Sequence, residues 1–440
     1  MLRSARGRMR AGKAALLGGV SIIAALAGPA AATASFASHP GAAVRAVKVA
    51  TRQLGLGERR AGTYFGDRTS IIVNTGDQPV KIKRIEFRGG DPSDFLVGTD
   101  CLTDGRPLTL APKAMCVIKA VFTPRAYGAR LATLGIDDSA SATPQPFTVR
   151  GVGTEGYYLA GPRGGVAHFG DADSYGDRGN KTLNQPVISI TSTATGDGYW
   201  LLASDGGIFS YGDARFYGST GGMRLNRPVV GMTTDRASNG YWLVASDGGI
   251  FTFGRARFFG STGGMHLNQS IVGMAATRSG NGYWLVARDG GVFTFGDAKF
   301  YGSVGTNEHP QPIVGMAATP SGDGYWLVAR NGRVYAFGDA RVHGADGTRH
   351  LGVVVGMSPT ADGRGFWLLN SQAHVIGFGD ARFFGDLHQS GLADVVGIAA
   401  TAPSVGSDQS AGVVSAPNVA TLNARLVAIA AQRGLRVRPG

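Results

Sequence analysis

Aspartates recur at a fixed spacing in the middle of this 440-residue chain, and clustered carboxylates can bind calcium or act as acid catalysts. One set lies in short glycine-rich stretches and a second set follows a glycine further on: Asp205, Asp247 and Asp289, then Asp213, Asp297, Asp339 and Asp380. A calcium site needs several oxygens converging on one point, whereas these aspartates occur singly along the chain. Asp-Gly and Gly-Asp pairs also build tight turns, so we interpret both sets as turn residues. We therefore predict no metal and no cofactor.

The tryptophans and the connector cations are the other candidates for ligand contact. The tryptophans share one repeat position inside an apolar segment, which favours core packing over a sugar-binding platform: Trp200, Trp242, Trp284, Trp326 and Trp367. The connectors between repeats vary from copy to copy, and residues without a packing role are free to bind. We predict that any ligand, such as an anionic or hydroxyl-rich glycan, contacts Lys181, Arg224, His266, His309, Arg349 and His350. A solvated rim without a ligand is the alternative.

Catalytic motifs are absent from the sequence. It contains no G-x-S-x-G, H-E-x-x-H or P-loop pattern. Only one of the four glutamates, Glu308, lies among the repeats, so a glycosidase with paired carboxylates would depend mainly on aspartates. We predict a protein that is not an enzyme.

The aspartates and tryptophans belong to a repeat of about 42 residues, a period typical of repeat architectures. Each copy opens on a glycine-aromatic pair, at Gly156, Gly198, Gly240, Gly282, Gly324 and Gly365. One unit predicts four short strands, A to D, at 229–234, 241–245, 250–253 and 257–259, with a long connector before the next unit. This order predicts a blade of a β-propeller.

The ends of the array predict how the ring closes. It begins with strands B, C and D, from Tyr157 to Tyr175, and ends with a single strand A, from Val395 to Thr401. If the last strand completes the first blade, residues 156–402 form a six-bladed β-propeller closed by strand exchange. Two β-trefoils of three repeats each are the alternative.

The N-terminal region predicts export. Residues 1–34 combine five basic residues, an apolar stretch and the small-residue site Ala32-Thr33-Ala34, as in a secretory signal peptide; an uncleaved anchor is the alternative. After cleavage we expect no transmembrane segment. Residues 35–62 are rich in Ala and Arg and lack periodicity, so we predict a disordered linker.

The basic charge is concentrated at the ends of the chain. The formal net charge is +13, yet residues 63–402 hold 29 basic and 28 acidic residues. A nucleic-acid-binding domain carries its basic patch on the folded body, so we predict no nucleic-acid partner.

A second all-β domain precedes the repeats. Residues 63–153 contain short predicted strands separated by turn residues. The strand at 80–87 alternates between apolar and charged residues, so one of its faces should be exposed to solvent. This pattern predicts a β-sandwich. Its cysteines, Cys101 and Cys116, are the only two in the chain, and an exported protein favours a disulfide between them over two free thiols. Residues 403–440 predict a linker, a short helix from Val419 to Gln432 capped by Asn418, and a basic tail.

Both parts resemble known families. The segments Asn74-Thr-Gly-Asp-Gln-Pro-Val80, Leu108-Thr-Leu-Ala-Pro112, Val121-Phe-Thr-Pro124 and Arg150-Gly-Val-Gly153 resemble the Ig-like choice-of-anchor D domain, related to the ASPM–SPD-2–Hydin type. That resemblance implies an immunoglobulin-like sandwich used as a spacer or adhesion module. The repeats, as in Gly240-Tyr-Trp-Leu-Val-Ala-Ser-Asp-Gly-Gly-Ile-Phe251, are similar to arrays in secreted proteins of high-GC Gram-positive bacteria. That similarity implies architecture and location, but no reaction.

These features predict a secreted or cell-surface binding and adhesion scaffold whose partner is a cell-wall glycan or another surface protein. The propeller would present the binding face, the Ig-like domain would serve as a spacer, and the chain would be a monomer. An extracellular carbohydrate-active enzyme and a passive structural protein of the envelope are the alternatives.

Overall fold

The computed structural model describes residues 44–60, 68–179, 181–235, 239–305, 311–347, 351–388, 394–401 and 413–432. The predicted signal peptide, residues 1–34, lies outside the described residues. Within the described part of the chain, no helix is long and apolar enough to cross a membrane.

The N-terminal domain is built from two β-sheets. Its first ten strands are β1 (Val47–Val49), β2 (Gln53–Arg60), β3 (Arg68–Asn74), β4 (Val80–Gly90), β5 (Phe95–Thr99), β6 (Leu102–Thr103), β7 (Arg106–Leu110), β8 (Met115–Phe122), β9 (Gly128–Asp138) and β10 (Gln145–Thr154). One sheet has the order β2-β10-β9-β4-β7-β6, and the other contains β1-β3-β8-β5.

The two sheets share one hydrophobic core. Ile72 and Ile118 from one sheet and Leu134 and Phe147 from the other are fully buried in a single cluster. The predicted disulfide between Cys101 and Cys116 is present and lies within this cluster. Two sheets with interlocking apolar faces are the arrangement of a β-sandwich.

The prediction of a disordered linker at residues 35–62 is wrong for residues 47–60. Strand β1 pairs antiparallel with β3, and strand β2 pairs in parallel with β10. Leu54 and Leu56 are buried while Gly55 and Gly57 are exposed, so the segment alternates like an ordinary strand. Its partner β10 lies far away in the sequence, and this long-range pairing orders a segment that has little local signal.

The C-terminal region returns to the sandwich. A short strand, β29 (Val413–Ser415), pairs in parallel with β5, so these residues belong to a sheet and not to the predicted linker. The predicted helix is confirmed as α1 (Val419–Gln432), and the Asn418 Oδ1 atom accepts a hydrogen bond from the Thr421 amide at 2.9 Å. Leu422 and Leu426 pack on Leu96 and Val121.

The remaining strands form six sheets of three strands each. The first sheet contains β11 (Gly156–Ala160) and β12 (Val166–Gly170). The next five are β13 to β15 (Val187–Ser192, Gly198–Ala203, Ile208–Gly212), β16 to β18 (Val229–Thr234, Gly240–Ala245, Ile250–Gly254), β19 to β21 (Ile271–Ala276, Gly282–Ala287, Val292–Gly296), β22 to β24 (Ile313–Ala318, Gly324–Ala329, Val334–Gly338) and β25 to β27 (Val354–Pro359, Gly365–Asn370, Val375–Gly379).

The ring closes by strand exchange, as the ends of the array predict. The last strand, β28 (Gly397–Ala400), pairs antiparallel with β11, with Tyr157 opposite Ala400 and Ala160 opposite Gly397. The innermost strands of the six sheets contact one another in a closed circle, in the order β13, β16, β19, β22, β25 and β28. The six-bladed β-propeller is therefore confirmed.

Glycine allows the inner strands to meet at the centre of the ring. A Cβ atom at Gly231 would lie 3.6 Å from the Cα atom of Gly273, and one at Gly273 would lie 3.5 Å from that of Gly315. A methyl group would just reach van der Waals contact with the neighbouring backbone, so a side chain larger than that of alanine has little room at these positions.

The fourth strand of each blade is a departure from the prediction. Residues 214–217, and the matching residues of the other described blades, form no strand. Side chains of the middle strands hold this outer segment instead. The Trp200 indole N–H donates to the Arg215 carbonyl at 2.9 Å, while the Tyr241 hydroxyl of the next blade donates to the Gly218 carbonyl at 2.5 Å.

The middle strands are buried on both faces. All six residues of β17 are buried, and Trp200, Trp242, Trp284, Trp326 and Trp367 are at most 1% exposed. These indoles therefore belong to the packing between blades, where no sugar could stack on them.

A truncation tests the closure. Ending the chain at residue 393 removes β28 and leaves β11 without its partner, so the melting temperature should fall sharply. Ending it at Thr401 removes β29 and α1 but keeps the closing strand, and serves as the control. Equal melting temperatures for the two truncated proteins would contradict closure by β28.

Replacing a buried indole tests the packing between blades. Trp242→Ala should lower the free energy of unfolding by about 3–5 kcal/mol, because it leaves a large cavity and removes the hydrogen bond to the Arg257 carbonyl. Phe258→Ala, at a side chain that is 59% exposed in the same blade, should change it little. Chemical denaturation measures both, and similar losses for the two variants would contradict this packing.

Candidate functional site

The connectors between blades lie on the same face of the propeller as the B–C turns. The Thr220 hydroxyl donates to the Asp205 carbonyl at 3.0 Å, and Thr262 makes the same contact with Asp247 at 3.2 Å. The B–C turns and the connectors therefore share one face. In these two blades the connector passes back over the B–C turn of its own blade before it reaches the next inner strand. We call this face the connector face.

Three of the six predicted binding residues lie in described connectors. Lys181, Arg224 and His266 are exposed on the connector face. The other three, His309, Arg349 and His350, lie outside the described residues, so their positions stay a prediction.

The three described residues do not occupy equivalent positions. The Lys181 amide donates to the carbonyl of a residue three positions earlier at 2.8 Å, as the Met223 and Met265 amides do. Lys181 therefore matches Met223 and Met265, whereas Arg224 and His266 each lie one residue further along. The polar rim is consequently not one repeated position around the ring.

A cleft of about 500 Å³ opens beside Lys181 on the connector face. It is lined by Pro162, Arg163, Gly179, Lys181, Thr182, Leu183, Asn184, Gln185 and Pro186. Among the described residues, neither Arg163 nor Lys181 forms an ion pair. Two cations, two side-chain amides and a hydroxyl group together can bind the oxygens of an anionic or hydroxyl-rich ligand.

Arg163 was missed by the sequence analysis, although a comparison of the turns reveals it. The B–C turn of the first blade is closed by the hydrogen bond from the Gly161 amide to the Gly165 carbonyl, which matches the bond from Ala203 to Gly207 in the second blade. Arg163 therefore stands where the second blade has Asp205. In that blade the carboxylate accepts the Gly207 amide at 2.9 Å and builds the turn. The first blade replaces this turn builder with an exposed cation.

The second set of aspartates joins two turns on the opposite face. In five of the six blades, a threonine at the end of the inner strand donates to the aspartate that follows the third strand, at 2.6–3.1 Å, in Thr193–Asp213, Thr277–Asp297, Thr319–Asp339, Thr360–Asp380 and Thr401–Asp171. These carboxylates act as hydrogen-bond acceptors within their own blades, in agreement with a turn role.

One blade exchanges the two residue types. Arg255 stands at the aspartate position of the third blade, and Asp235 stands at its threonine position. The third blade therefore has its acidic residue in the turn between the first two strands and not after the third strand. The Asp235 carboxylate accepts the Asn239 amide at 2.7 Å, so it still supports the turn between the first two strands.

Glu155, between the sandwich and the first blade, is 3% exposed. Burial, as the largest cause, and the negative charges of Asp362 and Asp380 together raise the pKa of its carboxyl group to about 8, although a hydrogen bond from the Ala361 amide acts in the opposite direction. Burial and the neighbouring Asp362 likewise raise the pKa of Asp380 to about 6. Carboxyl groups are thus concentrated where the last blade meets the first.

Within the described residues, one group of three potential metal ligands lies close enough together to share an ion: Asp100, Cys101 and Cys116. Both sulfurs are in the disulfide, so this trio has no thiolate to offer a metal.

Exposed phenylalanines line the outer edge of four blades. Phe216, Phe258, Phe300 and Phe383 occupy one repeat position and are 56–60% exposed. Each follows an exposed cation: Arg215, Arg257, Lys299 and Arg382. Single exposed apolar residues are common on protein surfaces, and these four lie on different blades, so their exposure needs no special function.

Comparisons with known proteins identify no family for this chain. It matches no family model and no curated protein. Among solved structures, it is similar to a structural-genomics protein of unknown function from Bacteroides thetaiotaomicron VPI-5482, with a TM-score of 0.40 and 11% identity over 75% of this chain and 82% of that one. It is also similar to the VesB protease of Vibrio cholerae, with a TM-score of 0.20 and 16% identity over 24% of this chain and 31% of that one. Neither similarity informs the function of this chain at these TM-scores.

The turn role of the second aspartate set is testable in the fourth blade. Asp297→Ala removes the acceptor for the Thr277 and Ser279 hydroxyls, so the free energy of unfolding should fall by about 1–2 kcal/mol. Lys299→Ala removes an exposed side chain of the same blade and is the control. Unchanged stability of the Asp297 variant in chemical denaturation would show that these bonds do not hold the turns together.

Proposed function

We propose that this chain is a secreted or cell-surface binding scaffold, in which the propeller presents a binding face and the sandwich serves as a spacer. The sequence of residues 1–34 and the disulfide support export, because disulfides persist in oxidising compartments. The resemblance of residues 63–153 to the Ig-like choice-of-anchor D domain, and of the repeats to secreted Gram-positive arrays, supports the same location.

The cleft between Arg163 and Lys181 is the observation that carries the proposed binding function. Its two cations come from different parts of the first blade, the B–C turn and the connector, and both converge on one opening. An anionic or hydroxyl-rich glycan of the cell wall suits this lining, since cations bind carboxylate or phosphate and the amides of Asn184 and Gln185 bind hydroxyls.

The repeated carboxylates favour a binding role over a catalytic one. Asp205, Asp247 and Asp289 accept backbone amides inside their turns at 2.9–3.1 Å. The second set accepts threonine hydroxyls on the opposite face, away from the cleft. A propeller hydrolase would require acidic groups directed at a ligand, and these residues serve the turns.

The sandwich contacts the propeller directly. The Tyr127 ring lies 5.7 Å from the Phe384 ring and 4.8 Å from the Arg382 guanidinium group, and the Thr154 hydroxyl donates to Asp171 at 2.7 Å. The proposed spacer therefore contacts both the first and the last blade of the ring.

The cleft is tested by retention on isolated bacterial cell wall across a salt series. The double variant Arg163→Ser and Lys181→Ser should lose about tenfold or more in affinity at low salt, because it removes two charge-assisted contacts. The difference should shrink as salt rises, since ions screen exposed charges.

The matched control is Lys81→Ser with Lys83→Ser, which removes the same charge from exposed positions on β4 of the sandwich. Adding Arg224→Ser and His266→Ser to the cleft variant tests the wider connector face. Equal retention of all proteins at every salt concentration would contradict binding at this face and would assign the contact to the basic ends of the chain.

A further inference from the structure

The seam between the last and the first blade carries a group of carboxylates, Glu155, Asp362 and Asp380, that is not repeated in the described residues of the other blades. Glu155 immediately precedes Gly156, whose amide donates to the Thr401 hydroxyl at 2.9 Å across the seam. The Thr401 hydroxyl in turn donates to Asp171 at 2.6 Å. Glu155 therefore stands at the point where the sandwich, the first blade and the closing strand meet.

The last blade has a carboxylate where other blades have a hydroxyl. In the fourth and fifth blades, Ser279 and Ser321 donate to the aspartate of the same blade. At that position the last blade has Asp362, whose carboxyl group is in hydrogen-bond contact with that of Asp380. The Thr360 hydroxyl is 3.1 Å from an oxygen of each. Two facing carboxylates require a proton or a cation between them.

Glu155 adds a third carboxyl group beside this pair. Its side chain is almost completely buried, and its Oε1 atom has no hydrogen-bond partner. The Ala361 amide, which adjoins Asp362, donates to its carboxyl group. A buried carboxylate oxygen without a partner carries a large desolvation cost, which a cation would offset.

Among the described residues, little positive charge faces this group. The Arg364 side chain, 3.7 Å from Asp362, is 76% exposed, so solvent screens its charge. The remaining charged neighbour, Asp171, is also acidic and is held by the Thr154 and Thr401 hydroxyls. The seam therefore gathers carboxyl groups that, once ionised, have little compensating positive charge among the described residues.

We propose that Glu155, Asp362 and Asp380, with the Thr360 hydroxyl, bind a calcium-class divalent cation that clamps the seam of the propeller. Carboxylate and hydroxyl oxygens are the ligands that hard cations take, and Ca²⁺ accepts irregular sets of six to eight oxygens. The three carboxylates do not lie within direct ligand reach of one another in this structure, so the proposed binding requires Glu155 Oε1 to move toward the facing pair. Extracellular modules bind Ca²⁺ with dissociation constants of about 10⁻⁴–10⁻³ M.

The site ties together parts of the chain that are far apart in sequence. Glu155 begins the first blade, whereas Asp362 and Asp380 belong to the last blade. A bound cation would stabilise the closed ring, because opening the seam would separate the ligands.

Calorimetry and thermal unfolding of the chain without its predicted signal peptide test this inference. Titration with CaCl₂ after treatment with a chelator should show saturable binding, and millimolar Ca²⁺ should raise the melting temperature by several degrees. Asp362→Ser should abolish both effects. This variant has the residue that the fourth and fifth blades carry at the same position, so it should fold.

Glu155→Gln should weaken the Ca²⁺ response at least tenfold in affinity while keeping the shape of the side chain. Asp297→Asn, which changes an aspartate of the fourth blade away from the seam, should leave the response intact. Circular dichroism verifies the fold of each variant. Absence of Ca²⁺ binding by the unmodified protein, or an equal response in the Asp362→Ser variant, would overturn the assignment of the cation to this seam.

Discussion

The contact between the tryptophan of one blade and the aromatic residue of the next is the interaction on which the propeller depends. The ring centroids are 5.5–5.9 Å apart in Trp200–Tyr241, Trp242–Tyr283, Trp284–Tyr325, Trp326–Phe366 and, across the seam, Trp367–Tyr157. The first blade has tyrosine at the tryptophan position, and Tyr158 packs on Tyr199 at 4.7 Å. The contacts form a closed circle, so each blade is stabilised by both neighbours.

This constraint separates structural positions from positions that can acquire a function. Tryptophan, tyrosine and the turn aspartates recur because every blade needs the same packing and the same turns. A departure from the repeat therefore calls for an explanation of its own. Arg163 replaces a turn aspartate and contributes to a cleft, and Asp362 replaces a serine and meets a second carboxyl group at the seam. Both departures lie in the blades at the ends of the array.

The repeat spacing was sufficient to predict six blades and their closure, because apolar middle strands and glycine-rich turns are local signals. The missing fourth strand was not predictable in this way. The outer segment of the second blade is held by hydrogen bonds from the Trp200 indole and the Tyr241 hydroxyl, and Tyr241 belongs to the next blade. Strand β2 was missed for a related reason, since its partner β10 is remote in sequence. The α1 helix was predictable because its capping residue and its apolar positions lie within one short stretch of sequence.

The candidate site was predicted only in part. Lys181, Arg224 and His266 are exposed as expected, but their register differs, because a one-residue offset between connectors is visible only in the backbone hydrogen bonds. Arg163 could have been found by aligning the turns of successive repeats. The carboxyl group of Glu155 could not, since nothing in the sequence shows that it is buried next to residues some 200 positions later.

The central claim is that contacts between all six blades hold the ring closed. Amide hydrogen exchange of the closing strand tests this claim most directly. If β28 completes the first blade, the amides of residues 397–400 should be as strongly protected as those of residues 229–234, the equivalent strand of the third blade, because both open only when the ring opens. Fast exchange at residues 397–400 with full protection at 229–234 would contradict the closed ring.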